Sequence, residues 1–249
     1  MPIVYIKLII LSNLDGDSAA RNNNFNKSEK VKSDLKKIRK LMSKEKLYII
    51  RLMTDADVNS VEEFYNSAVD IKYTHDAYRR ISMKDFTTIL LIEKNSNEDN
   101  GKGKIIGISS FIRVWHSSFS TLREAYLHLF GISKKHRNKG FGTYLFELTE
   151  FIQKKYFSCI RLMFHVPKHD FETFEFFRKM GLNGQKVYSD FYKMKNGKAE
   201  ESILMMKPLK DDIQMPKELN CSIQIQSDVQ FLIDNKQTFG FFEKFFAKP

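Results

Sequence analysis

Two hydrophobic rhythms alternate along the chain. Apolar residues at every second position, or in short unbroken runs, mark strands, and recurrence at three- and four-residue spacing marks helices. "LYIIRLM" (47–53) reads as a strand. Thr54 followed by Asp57 has the spacing of a capping box, and Val58, Val61, Phe64, Tyr65, Ala68 and Val69 then recur at helical spacing. "TTILLIEK" (87–94) and "KIIGISSFIRVW" (104–115) predict two strands joined through the polar hairpin loop "NSNEDNGKG". "REAYLHLFGIS" (123–133) predicts another strand. Beyond a basic loop, Phe141, Leu145, Leu148, Phe151 and Ile152 line one face of a helix. "SCIRLMFHV" (158–166) is a continuous apolar run, as expected of a strand buried on both sides. "DFETFEFFRKMGL" (170–182) predicts a helix ended by Gly181. "QKVYSDFYKM" and "ESILMMKPL" (201–209) predict a closing hairpin across "KNGKAE". The class is mixed α/β, without an internal repeat.

Both ends depart from this rhythm. "SNLDGDSAARNNNFNKSEK" (12–30) is polar and Asn-rich and reads as a linker. Residues 1–46 are therefore expected to be a largely flexible extension, 47–209 the folded body, and 210–249, ending in "TFGFFEKFFAKP", a C-terminal extension. "IVYIKLIIL" (3–11) is apolar but far short of the roughly 20 residues of a spanning helix. It lacks the basic start of a secretory signal and equally suits a strand added to the body.

Charge sharpens this division. The chain carries a net +11, of which residues 1–46 hold +6, leaving +5 for the rest. "NKSEKVKSDLKKIRKLMSKEK" (26–46) reads as a solvated helix or tail, or as an anchor for nucleic acid, ribosomes or another acidic partner. Cys159 and Cys221 make no disulfide framework, so a reducing compartment, cytoplasmic or nuclear, is expected.

The loop "HRNKGFG" (136–142) carries the chemistry. It stands between a strand and an amphipathic helix. The first amides of a helix lack partners and carry the positive end of its dipole. Gly140 and Gly142 let a phosphate approach those amides, and Arg137 and Lys139 add charge. The same six residues also suit a plain basic helix cap. A nucleotide P-loop string is absent, and Leu145 stands where a dinucleotide fingerprint needs its third glycine.

Arg137-Asn-Lys-Gly140-Phe-Gly142 resembles the Q/R-x-x-G-x-G/A loop of the GNAT superfamily of acetyl-CoA-dependent N-acetyltransferases. Asp170, Thr173, Phe176, Phe177, Lys179, Gly181 and Leu182 are similar to that family's N-x-x-A-x-x-F-Y-x-K-x-G-F helix, in register and after a further strand. The resemblance covers residues 47–207. It implies the GNAT acyltransferase fold: a mixed twisted sheet splayed between strands four and five, with helices on both faces. It implies acetyl-CoA as co-substrate and no metal. Pantetheine would pair with Phe130, Gly131 and Ile132, and diphosphate would lie on the amides of Arg137, Asn138, Lys139, Gly140, Phe141, Gly142 and Thr143. Asp170 would cap its helix in place of the usual Asn.

Acetyl transfer to an amine needs an uncharged nucleophile, so a base or a water chain must remove a proton. Period-two alternation puts Tyr126, His128, Phe130 and Ile132 on one face, and His128 falls where the resembling family often has its base. A strand histidine packed in a face is the competing reading. Phe177 stands where the family often has a proton-donating Tyr, so Tyr188 and Tyr192 are the candidate acids; His165 and His169 read as structural or rim residues. The acceptor groove implied by the resemblance runs between 55–85 and 185–205. A peptide or protein amine is slightly favoured. A small amine, such as an amino sugar phosphate or an arylalkylamine, is the alternative, as is a module that binds acetyl-CoA or a partner without turnover.

Because few contacts are expected to cross residues 12–46, a chain starting at Lys46 should fold and keep full acetyl-CoA affinity by calorimetry. Unfolding of that chain would make "IVYIKLIIL" part of the body.

Overall fold

The computed structural model describes residues 47–234 except 72, 84, 95–102, 116–121 and 220; the basic extension and the last apolar segment fall outside the described residues. In chain order it comprises β1 (Leu47–Leu52), α1 (Val58–Ala68), α2 (His75–Arg80), β2 (Phe86–Lys94), β3 (Lys104–Trp115), β4 (Arg123–Ile132), α3 (Phe141–Lys155), β5 (Cys159–Pro167), α4 (Phe171–Lys179), β6 (Asn183–Lys193), β7 (Ala199–Pro208), β8 (Ser222–Ile225) and α5 (Ser227–Asp234). The strands form one sheet in the order β6-β7-β5-β4-β3-β2-β1-β8. β4–β5 and β1–β8 are parallel and the other pairs antiparallel.

Successive side chains of a strand point to opposite faces. Leu91, Leu127 and Val166 accordingly pack with Leu145 and Leu148 of α3, Phe177 of α4 and Val229 of α5. Leu90, Ile108 and Leu129 pack on the other face with Val61, Phe64 and Tyr65 of α1 and Tyr78 of α2. The predicted apolar face of α3 is fully buried. Local signals hold as well. The Asp57 carboxylate accepts from the Thr54 amide at 2.8 Å, as a capping box requires. Gly181 has φ +87°, the left-handed conformation that ends a helix at glycine.

Two features position the site. Parallel pairing of β4 with β5 runs from Arg123↔Cys159 to Leu127↔Phe164 and stops, while β4 stays paired with β3 as far as Ile132↔Gly107. The strands therefore part at their C-terminal ends. Secondly, Leu127 faces Phe111 and Leu129 faces Ser110, so His128 is an extra residue without a register partner, a β-bulge. The bulge corrects the expected single face of Tyr126, His128, Phe130 and Ile132. His128 turns toward Tyr73 and Phe86, whereas Phe130 and Ile132 join the α3–α4 side. Strict alternation fails because the bulge adds one residue to the period.

Residues 222–234 add elements that no sequence pattern announced. β8 pairs with β1 from Leu47↔Ser222 to Ile50↔Ile225, and α5 buries Val229, Leu232 and Ile233. Asp228 accepts from the Leu52 amide at 2.9 Å. Asp228→Ala leaves that amide without its acceptor and should cost about 1–2 kcal/mol, read as a lower denaturant midpoint at unchanged slope.

Candidate active site

A cleft of ≈ 670 Å³ opens where β4 and β5 part. One wall is the end of α1 and the loop after it, with Tyr65, Val69, Ile71 and Tyr73; the floor is β4 with His128, Phe130, Gly131 and Ile132. The loop before α3 contributes Arg137, Asn138 and Gly140, and α3 itself Gly142 and Thr143. β5 and α4 supply Phe164, His165, Asp170 and Phe177.

The loop folds as a cradle. Asn138 has φ 59° and Gly140 φ 84°, so left-handed residues aim successive amides to one side, and α3 starts at Phe141 with its first amides beyond intrahelical pairing. A side chain at Gly140 would be strained by that φ. Gly142 differs: an added Cβ would meet Phe176 at 3.5 Å and Ile132 at 3.6 Å, ordinary contacts. Arg137 lines the cleft, but its guanidinium donates to the carbonyls of Ile132 (3.2 Å) and Ala68 (3.0 Å), which ties the loop to the end of α1. Lys139 turns away and donates to the Lys135 carbonyl, while Lys134, which sequence reasoning passed over, lines the cleft. Phe141 is buried against Tyr48. Asp170 caps α4 through the Thr173 amide at 3.0 Å, as expected. The open amides, the two cations and the adjoining unpaired edge of β4 fit a diphosphate followed by an extended pantetheine.

At the parting itself stand two histidines and three tyrosines. Burial lowers the His128 pKa. Burial likewise brings His165 down to about 4; its Nδ1 lies 2.8 Å from Ser202 Oγ, its ring stacks on Phe191 at 3.9 Å, and Tyr126 faces it at 5.8 Å. His165 thus lines the cleft, where its sequence position suggested a structural or rim residue; its β7 and β6 neighbours are remote in sequence. Burial pushes Tyr126 up to about 12 and raises Tyr73 and Tyr192 further. Tyr192 donates its hydroxyl to the His165 carbonyl at 2.5 Å. Tyr188 is not among the cleft-lining residues; its ring lies against His165 and under Lys186. Phe177 is buried among Phe130, Phe146, Phe164 and Phe176.

A roof spans the side of the cleft away from the loop. Ile71 and Met194 form an antiparallel bridge, Lys195 donates to the Asn66 and Val69 carbonyls, and Ile71, Tyr192 and Met194 make an apolar cluster with Val69 and Tyr73. Among the described residues no group of His, Cys, Asp and Glu could hold a metal ion, and no helix is long and apolar enough to cross a membrane.

Residues 50–182 match the acetyltransferase (GNAT) family. Three solved structures share the fold at low identity. Arabidopsis thaliana NAA60 in complex with a bisubstrate analogue is 17% identical, with a TM-score of 0.58 over 66% of this chain and 99% of that one. The ribosomal-protein-S18-alanine N-acetyltransferase of Escherichia coli is 17% identical, with a TM-score of 0.51 over 69% and 97%. Mutant forms of the spermidine/spermine N-acetyltransferase SpeG of Vibrio cholerae are 13% identical, with a TM-score of 0.51 over 65% and 94%. No curated protein sequence matches.

Gly142→Asp keeps an ordinary backbone and sets a carboxylate beside the cradle. It should weaken acetyl-CoA binding roughly 10²-fold, about two charge-assisted hydrogen bonds, at a near-normal Tm. Unchanged affinity by calorimetry would refute the cradle.

Proposed function

The chain belongs to the acetyltransferase (GNAT) family and is an acetyl-CoA-dependent N-acetyltransferase, and from that premise we propose that its acceptor is the amine of a peptide or protein. The lining of the acceptor side carries this reading. Ile71, Tyr73, Tyr192 and Met194 offer apolar and phenolic surface, which suits peptide backbone and side chains. The cations that line the cleft, Lys134 and Arg137, stand at the loop end, where a sugar phosphate acceptor could not use them. The ribosomal-protein-S18-alanine acetyltransferase is named for a protein acceptor, and SpeG for polyamines.

In this reading the loop amides and Lys134 hold the diphosphate, and Phe130, Gly131 and Ile132 hold pantetheine along the open edge of β4. Bound there, acetyl-CoA supplies the activated acetyl group. His128 takes the proton of the acceptor ammonium, directly or through water. Its lowered pKa keeps it neutral at pH 7 and thus able to accept. The thiolate leaves without an acid at Phe177, which a low thiol pKa permits. One observation favours a second base: His165 Nδ1 lies 2.8 Å from Ser202 Oγ, and in the tautomer in which Nδ1–H donates there, Nε2 is the acceptor beside Tyr126.

The test couples acceptor and base. CoA release should be fastest with peptides bearing a free amine, over spermidine and glucosamine 6-phosphate. His128→Gln should cost on the order of 10²–10⁴-fold in kcat/KM with acetyl-CoA affinity kept. Since the His128 pKa lies below its usual value, the wild-type base limb should fall only below about pH 6.5 and be absent in the variant. A larger loss in His165→Gln would assign the base to β5, and preference for the sugar phosphate would overturn the acceptor.

A further inference from the structure

The cofactor loop is held from two sides, and the outer hold comes from the C-terminal extension. On the cleft side Arg137 ties the loop to Ile132 and Ala68. On the outer side stands Leu219, whose Cδ2 lies 2.9 Å from the point where a Cβ on Gly140 would sit. Leu219 also packs against the core cluster that includes Phe141 and Tyr144 of the first turn of α3. Glu218 and Cys221 act electrostatically on the Tyr144 hydroxyl, and Cys221 packs against the same cluster, so Glu218, Leu219 and Cys221 lie by the start of α3. From there the chain enters β8, pinned to β1, and then α5, pinned through Asp228 to Leu52. None of the described residues between 215 and 225 lines the cleft. The family match ends at residue 182, and the strap lies wholly beyond it.

A loop with left-handed residues at 138 and 140 does not hold its shape alone, because each such residue has alternative conformations of comparable energy. Ordering it on binding would cost affinity. We propose that Leu219 is a positioning residue for acetyl-CoA: the C-terminal strap braces the cradle from outside, so that its amides face the diphosphate before the ligand arrives. The strap touches no ligand and acts only through the backbone of Gly140 and the first turn of α3. This rests on the loop being the acetyl-CoA site.

Leu219→Ala in the full chain opens the space behind Gly140. It should raise the acetyl-CoA Kd about tenfold, the effect of leaving a residue to be ordered on binding. The acetyl-CoA KM should rise in parallel, while kcat at saturation stays within about twofold because the reacting groups are untouched. Leu219→Met refills the space and should restore affinity. Val229→Ala, a cavity in α5 remote from the loop, should lower Tm and leave the Kd unchanged. Unaltered Kd in Leu219→Ala, or equal weakening by Val229→Ala, would overturn the brace and leave the strap a stability element only. Wild-type protein that bound no acetyl-CoA would overturn the cradle and the brace together, which separates the two failures.

Discussion

The parting of β4 from β5 is the constraint on which the rest depends. Pairing ends at Leu127↔Phe164, yet β4 continues to Ile132 with its other edge on β3. Its free edge carries peptide groups in a setting where buried polar groups almost always find partners. Two flush parallel strands would close on each other unless something held them apart. That wedge is aromatic: Phe130 lies 5.6 Å from Phe177 and 5.8 Å from Phe176, and Phe164 lies 4.5 Å from Phe177. Phenyl rings fill the angle without offering hydrogen bonds of their own, so the edge stays open for an extended ligand. Phe177 then has a structural reason to be there, independent of the missing phenolic proton.

The cleft is electrostatically divided along its length. Helix amides, Lys134 and Arg137 gather positive potential at the loop, where a diphosphate would sit. At the parting, burial keeps His128 and His165 neutral and the tyrosines protonated. In the proposed reading, affinity would come from charge at the loop end, leaving binding energy at the parting to orient the thioester rather than to hold substrate and transition state equally.

Local signals were legible in the sequence, and those set by remote neighbours were not. The buried face of α3, the Asp57 capping box and Gly181 each depend on residues within one or two turns, and each stands as read. The bulge at His128 could not be seen, because it arises from how β4 registers on β3 across some twenty residues. His165 read only as a structural or rim residue, since its partners, Ser202 and Phe191, come from the last hairpin. Lys139 and Arg137 looked alike as loop cations. One reaches back to the Lys135 carbonyl and the other across to α1, a difference that only the closed structure decides.

The end of α1 shows how the two halves of the site are kept in register. Its last carbonyls form the negative pole of a helix dipole, a natural seat for cations. Arg137, from the cofactor loop, takes the Ala68 carbonyl; Lys195, from the tip of the β6–β7 hairpin, takes those of Asn66 and Val69. Neither cation replaces the other, since each comes from a different wall of the cleft. A single turn of helix therefore ties down both the loop that would hold the diphosphate and the hairpin that, in the proposed reading, would roof the acceptor. The distance between them is set by packed elements and not by flexible loops. For a reaction in which one bound group must meet another at the parting of two strands, that shared anchor is the fold's contribution to proximity.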